Sequence, residues 1–119
     1  MSLVNLRHLF RAGLYSLDGL KRAWSGEQAF RHEVLVLCCI PALLLWLRPG
    51  AGWCAAALGG WLLVMALELL NSAIEEAFDL VTQEQNIHVK YGKDMASAAI
   101  LLGLAANGIL WVCLVVSVL

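Results

Sequence analysis

The sequence predicts an all-α membrane protein, an amphipathic surface helix followed by three transmembrane helices, and three observations carry that prediction. Of the 119 residues, 61% are hydrophobic and only 14% charged, too apolar for a water-soluble core in a chain with room for one domain. The charges are also confined, since residues 34–47, residues 49–67 and everything after Asp94 carry none. The first thirty residues are different: amphipathic and polar, they lack the basic, apolar and small-residue zones of a secretory signal, and no cleaved leader is expected.

The surface helix is predicted over about 5–25, where Leu6, Leu9, Phe10, Leu14, Leu17, Leu20 and Trp24 recur at helical spacing with Arg7, Arg11, Asp18, Lys21 and Arg22 between them. Ser25-Gly26-Glu27 reads as a break before the first span. That span, about 28–48, joins a charge-free run too short to cross alone to residues 28–33, whose long side chains reach the headgroups. Arg48-Pro49-Gly50-Ala51-Gly52 reads as a tight turn. The second span, about 53–82, runs without a breaker and is longer than the bilayer core requires. Residues 83–92 lack apolar periodicity and read as a loop, and the third span occupies about 94–118. No repeat or linker divides the chain, so residues 1–119 are taken as a single membrane domain.

The net charge of −1 conceals an asymmetry. Five of the eight Lys and Arg residues precede the charge-free run of the first span, Lys90 and Lys93 lie between the second and third spans, and only Arg48 occupies the other loop. Positive residues gather on the cytoplasmic side, so the N-terminus and the 82–93 loop are expected there and the C-terminus outside. A basic patch in this setting points to a membrane surface and not to nucleic acid. Cys38, Cys39, Cys54 and Cys113 lack the spacing of a metal site or disulfide framework and read as small buried hydrophobes.

Chemistry concentrates in residues 68–79. At about 100° per residue, Glu68, Asn71, Ser72, Glu75 and Asp79 share one arc of about 100°, while Leu69, Leu70, Ile74 and Phe78 cover much of the rest. A carboxylate in a membrane helix costs from about 2.5 kcal/mol upward, so such residues usually face a bundle interior and mark function. The bland alternative is a stripe that pairs with cations of other helices to hold an assembly together. If the stripe is catalytic, depth separates its roles. Glu68, the deepest, suits a general base acting on a lipid hydroxyl. Glu75 and Asp79, nearer water, suit a divalent cation such as Mg²⁺, which takes one or two carboxylates besides phosphate oxygens and waters, with Glu75 the first choice. Lys93, Asp94 and Ser97 form another polar face where the third span begins, and Lys93 could neutralise phosphate charge. No Gly-rich phosphate loop or protein-kinase signature is present. Physical reasoning alone therefore stops at a metal-assisted membrane enzyme.

The run Glu68-Leu-Leu-Asn-Ser-Ala-Ile-Glu75, followed by Lys93-Asp94-Met95-Ala-Ser97-Ala-Ala, closely resembles the signature of the small prokaryotic diacylglycerol kinases. Ala12-Gly13-Leu14-Tyr15-Ser16, Gly19-Leu20, Ala23-Trp24 and Glu27-Gln28-Ala29-Phe30-Arg31 resemble the family's surface helix and first-span entry, so nearly the whole chain is covered. The resemblance implies a homotrimer in the bacterial inner membrane with active sites shared between subunits. It implies transfer of the ATP γ-phosphate to a membrane lipid with Mg²⁺. On matching positions it makes Glu68 the general base, Glu27 and Glu75 metal and nucleotide ligands, and Asn71, Lys93 and Asp94 contacts at the phosphate end. Tyr15 joins the nucleotide set, while residues 12–17 (Ala12, Gly13, Leu14, Tyr15, Ser16, Leu17), Trp24, Phe30, Glu33, Glu68 and Ser97 face the lipid. Two departures stand out. Glu84 is followed by Gln85-Asn86, with the histidine delayed to His88, so nucleotide contacts at Glu84, Gln85 and Asn86 match the family only at the glutamate; His8 stands where many members carry arginine. The resemblance leaves open an undecaprenol kinase of the same superfamily, and a non-catalytic scaffold or transporter subunit would share the architecture.

Overall fold

The computed structural model describes residues 3–119 and is built from four helices: α1 (Leu3–Gly26), α2 (Gln28–Leu47), α3 (Ala51–Val81) and α4 (Ile87–Val118). The last three are long and apolar enough to cross a membrane. At 1.5 Å per residue, α3 and α4 each run well over 40 Å, against a hydrocarbon core of about 30 Å. Both must therefore project from the bilayer, and the polar half of α3 lies on the projecting end.

The junctions are tighter than the sequence suggests. The break after α1 is a single residue, Glu27, in extended conformation (φ −120°, ψ 109°), with its N–H on the Ala23 carbonyl at 2.8 Å. The side chain of Arg31 reaches back to donate to the carbonyls of Trp24 at 2.8 Å and Ser25 at 3.4 Å, partnering acceptors that the end of α1 leaves unsatisfied. The second turn is also short, because α3 begins at Ala51. Arg48 closes α2 in the left-handed region (φ 53°), with its N–H on the Leu44 carbonyl, and Pro49 prevents the helix from continuing. The expected ten-residue loop at 83–92 shrinks to 82–86. Asn86 caps α4, its side-chain oxygen accepting from the His88 N–H at 2.8 Å, so the helix starts seven residues before the apolar run does. Those first two turns carry Lys90 and Lys93 and no apolar stripe by which to recognise them.

α3 is the central element, packed most extensively on α4 and next on α2, while α1 packs mainly on α2. Near the Arg48 turn, Ile40, Leu44, Ala57 and Leu114 are buried together beneath Trp53 and Trp111. Towards the other end, Ala23, Phe30 and Met65 form a second cluster, and Trp61 packs against both. Its indole N–H donates to the Glu33 carbonyl at 2.8 Å, tying α3 to α2. Between α3 and α4 two glycines allow close approach. A Cβ at Gly103 would meet Leu67 at 2.8 Å, and one at Gly60 would meet the Asn107 amide oxygen at 3.0 Å. Asn107 is buried and donates to the carbonyls of Gly60 at 3.1 Å and Gly103 at 3.0 Å, an interhelical clamp absent from the sequence reading. The outward faces are apolar: Leu62, Leu63, Leu101, Leu102, Ile109 and Val112 are all exposed, as a lipid-facing or subunit-facing surface requires.

Candidate active site

The polar stripe of α3 descends from core to solvent. Glu68 is buried at 8% exposure; Asn71, Ser72 and Glu75 are half-buried; Asp79 is exposed. Among the described residues Glu68 is the only buried side chain that can carry a charge.

Three segments bring carboxylates into one electrostatic cluster. Glu27, from the α1–α2 break, and Glu75, two turns along α3, both act on the Glu68 carboxylate, and Glu68 acts in turn on Glu33 of α2. Among the described residues no lysine or arginine forms an ion pair with any of these four. One oxygen of Glu33 is buried without a hydrogen-bond partner. Asn71 donates to Glu75 at 3.4 Å while its own amide oxygen is buried and unpartnered. Adjacent like charges and orphaned acceptors together call for a cation or donor from outside. Among the described residues no three His, Cys, Asp or Glu side chains converge into a closed metal cage. Mg²⁺ needs no such cage, because it takes one or two protein carboxylates and keeps most of its positions for water and phosphate.

A cavity of about 620 Å³ opens between the end of α3 and the start of α4. Asp79, the 82–87 turn, Lys90, Lys93 and Asp94 line it, so Glu84, Gln85 and Asn86 all face the space that contains Lys93 and Asp94. Lys93 pairs with Asp79 across the two helices at 3.3 Å, and Lys90 pairs with Asp94 along α4 at 2.6 Å. The sequence reading missed Lys90, although its four-residue spacing from Asp94 was the signal. A second cavity, of about 530 Å³, lies under α1, where Ser16, Gly19, Ala23 and Glu27 face Leu69, Ser72 and Glu76.

The remaining candidates are less concentrated. Ser16 alone of residues 12–17 lines the cavity under α1, and Ala12, Gly13, Leu14, Tyr15 and Leu17 stand exposed on that helix, as does Trp24. Phe30 is buried with Ala23 and Met65, and Ser97 is exposed on α4.

Fold and site together define a helical integral membrane protein with an uncompensated acidic cluster at one end of its bundle. The family model for prokaryotic diacylglycerol kinase matches residues 14–115. The chain is 40% identical over 106 residues to a diacylglycerol kinase of Haemophilus influenzae, covering 89% of this chain and 90% of that one. It is 42% identical over 106 residues to a diacylglycerol kinase of Helicobacter pylori strain J99, covering 88% and 82%. To a diacylglycerol kinase of Escherichia coli K12 it is 35% identical over 103 residues, covering 87% and 84%. The chain belongs to the prokaryotic diacylglycerol kinase family, a family of lipid kinases.

Proposed function

We propose that this protein transfers the γ-phosphate of ATP to the hydroxyl of diacylglycerol, producing phosphatidic acid at the cytoplasmic face of the bacterial inner membrane. The single observation that carries the reading is the buried Glu68 carboxylate, without an ion pair among the described residues and under the like charge of Glu27 and Glu75. Glu68 takes the proton of the acceptor hydroxyl as its oxygen bonds to the γ-phosphorus, and the bond from that phosphorus to the β–γ bridging oxygen breaks to release ADP. Glu27 and Glu75 hold Mg²⁺, which when bound neutralises charge on the phosphates. Lys93, Asp94 and Asn71 position the phosphate end, and the cavity beside Lys93 accommodates the nucleotide, with Glu84, Gln85 and Asn86 as its further contacts; Tyr15, which does not line that cavity, is assigned to the nucleotide by resemblance. Residues 12–17, Trp24, Phe30, Glu33 and Ser97 serve the lipid side.

Orientation follows the charge asymmetry, with the N-terminus and the 82–86 turn cytoplasmic and the C-terminus outside. The working assembly is a homotrimer with shared sites, supported by the extensive apolar faces that a single chain leaves open. The test is Mg²⁺-dependent transfer from radiolabelled ATP to diacylglycerol and undecaprenol, measured side by side in mild detergent. Preference for diacylglycerol supports the reading, preference for undecaprenol reassigns the acceptor, and transfer to neither overturns it.

A further inference from the structure

Directly before Asp79 and Lys93 stand Phe78 and Gly92, and these two also meet. A Cβ built on Gly92 would lie 2.6 Å from the Phe78 Cε2 and closer still to its Cζ. The ring of Phe78 therefore fills the place where any other residue at 92 would put its side chain. One residue further along each helix is the Lys93–Asp79 pair at 3.3 Å.

We infer that Phe78 and Gly92 form a ring-in-notch contact that sets the spacing of α3 and α4 and so positions Lys93 for the phosphate end of the nucleotide. The inference rests on the reading of Lys93 given above, and both residues are positioning residues that touch no substrate. Carbon atoms pack at about 3.5 Å or more, so a methyl at 92 requires roughly 1 Å of separation or a displaced ring. Separation of that size carries the Lys93–Asp79 pair past about 4 Å, the limit of an ion pair. Lys93 then swings away from Asp79 and the cavity they share. Misplacement of about 1 Å in a phosphate-positioning group costs on the order of a hundredfold in rate.

The test is a double-mutant cycle of Gly92→Ala and Phe78→Ala in the full-length protein, read by steady-state kinetics against both substrates. Gly92→Ala should lower kcat/KM for ATP by about ten- to a hundredfold while leaving the KM for lipid unchanged. Phe78→Ala alone should cost less than about threefold, and the double variant should return to its level. Phe78→Trp, which enlarges the ring and keeps the glycine, should shift the ATP parameters in the same direction as Gly92→Ala, and it decides the matter if the alanine variant does not fold.

A readout independent of turnover is amine labelling resolved by peptide mass spectrometry, since Lys21, Lys90 and Lys93 are the three lysines of the chain. Lys93, half as exposed as Lys90 or little more, should lose its relative protection in Gly92→Ala and regain it in the double variant. Failure of the wild type to phosphorylate any lipid alcohol would count against the proposed function, and the labelling would still test the notch. A rise in the KM for lipid, no rescue by Phe78→Ala, or unchanged Lys93 labelling would each overturn the inference.

Discussion

Trp61 offers a quantitative test of how the bundle is held. Its indole packs against both buried clusters, and its N–H reaches the Glu33 carbonyl on α2 at 2.8 Å. Replacing it with phenylalanine keeps an aromatic ring at the site but removes the donor and part of the volume. Interhelical hydrogen bonds in membranes contribute about 0.6 kcal/mol on average and up to about 1.7 kcal/mol. The lost volume, roughly 40 Å³, adds about 1 kcal/mol at some 24 cal/mol per Å³ if the site does not collapse. Trp61→Phe should therefore destabilise the protein by about 2 kcal/mol. Reversible unfolding in mixed detergent–SDS micelles measures it. Because the bond is to the Glu33 backbone and not to its carboxylate, kcat of the folded variant should stay within about twofold of wild type. A destabilisation below about 0.3 kcal/mol would show that Trp61 does not link the two clusters, and the packing account would have to be redrawn.

Three further predictions address the helix junctions and the α3–α4 clamp. Asn107→Ala removes both donations from the buried amide together with its unpartnered oxygen, so the two effects oppose and the net destabilisation should be about 1 kcal/mol in the same unfolding assay. Asn86→Ala deletes the cap of α4 and should raise amide hydrogen exchange at residues 87–90, with a loss of about 1 kcal/mol there and little change in α3. Arg31→Gln strips the partner from the last carbonyls of α1, and faster exchange confined to residues 22–27, with the spans unaffected, is the expected pattern.

The membrane spans were legible because charge is expensive in hydrocarbon: runs free of Lys, Arg, Asp and Glu mark them directly. The stripe from Glu68 to Asp79 was legible for the same reason, since its polar residues begin directly after one of those runs and repeat at helical spacing with no helix breaker between. The start of α4 was not, because residues 87–93 lie beyond the apolar region and only the Asn86 cap announces them. Asn107 escaped notice as a lone amide in a charge-free run, and its meaning depends on Gly60, forty-seven residues away. The Trp61–Glu33 bond and the Phe78–Gly92 contact are equally nonlocal, settled by how α3 seats on its neighbours and by no pattern within either segment. Glu27 reached the cluster through resemblance alone; it sits in the one-residue break between α1 and α2, and its charge acts on Glu68 from there.

The central claim is that Glu68 is the base that accepts the proton of the lipid hydroxyl. Glu68→Gln keeps the shape of the side chain and removes its basicity, so single-turnover phosphate transfer from ATP to diacylglycerol tests the claim most directly. The account predicts a fall in rate of about 10²- to 10⁴-fold with ATP binding within about threefold of wild type. A variant that folds and transfers phosphate within about tenfold of the wild-type rate would contradict it and remove Glu68 from the chemical step.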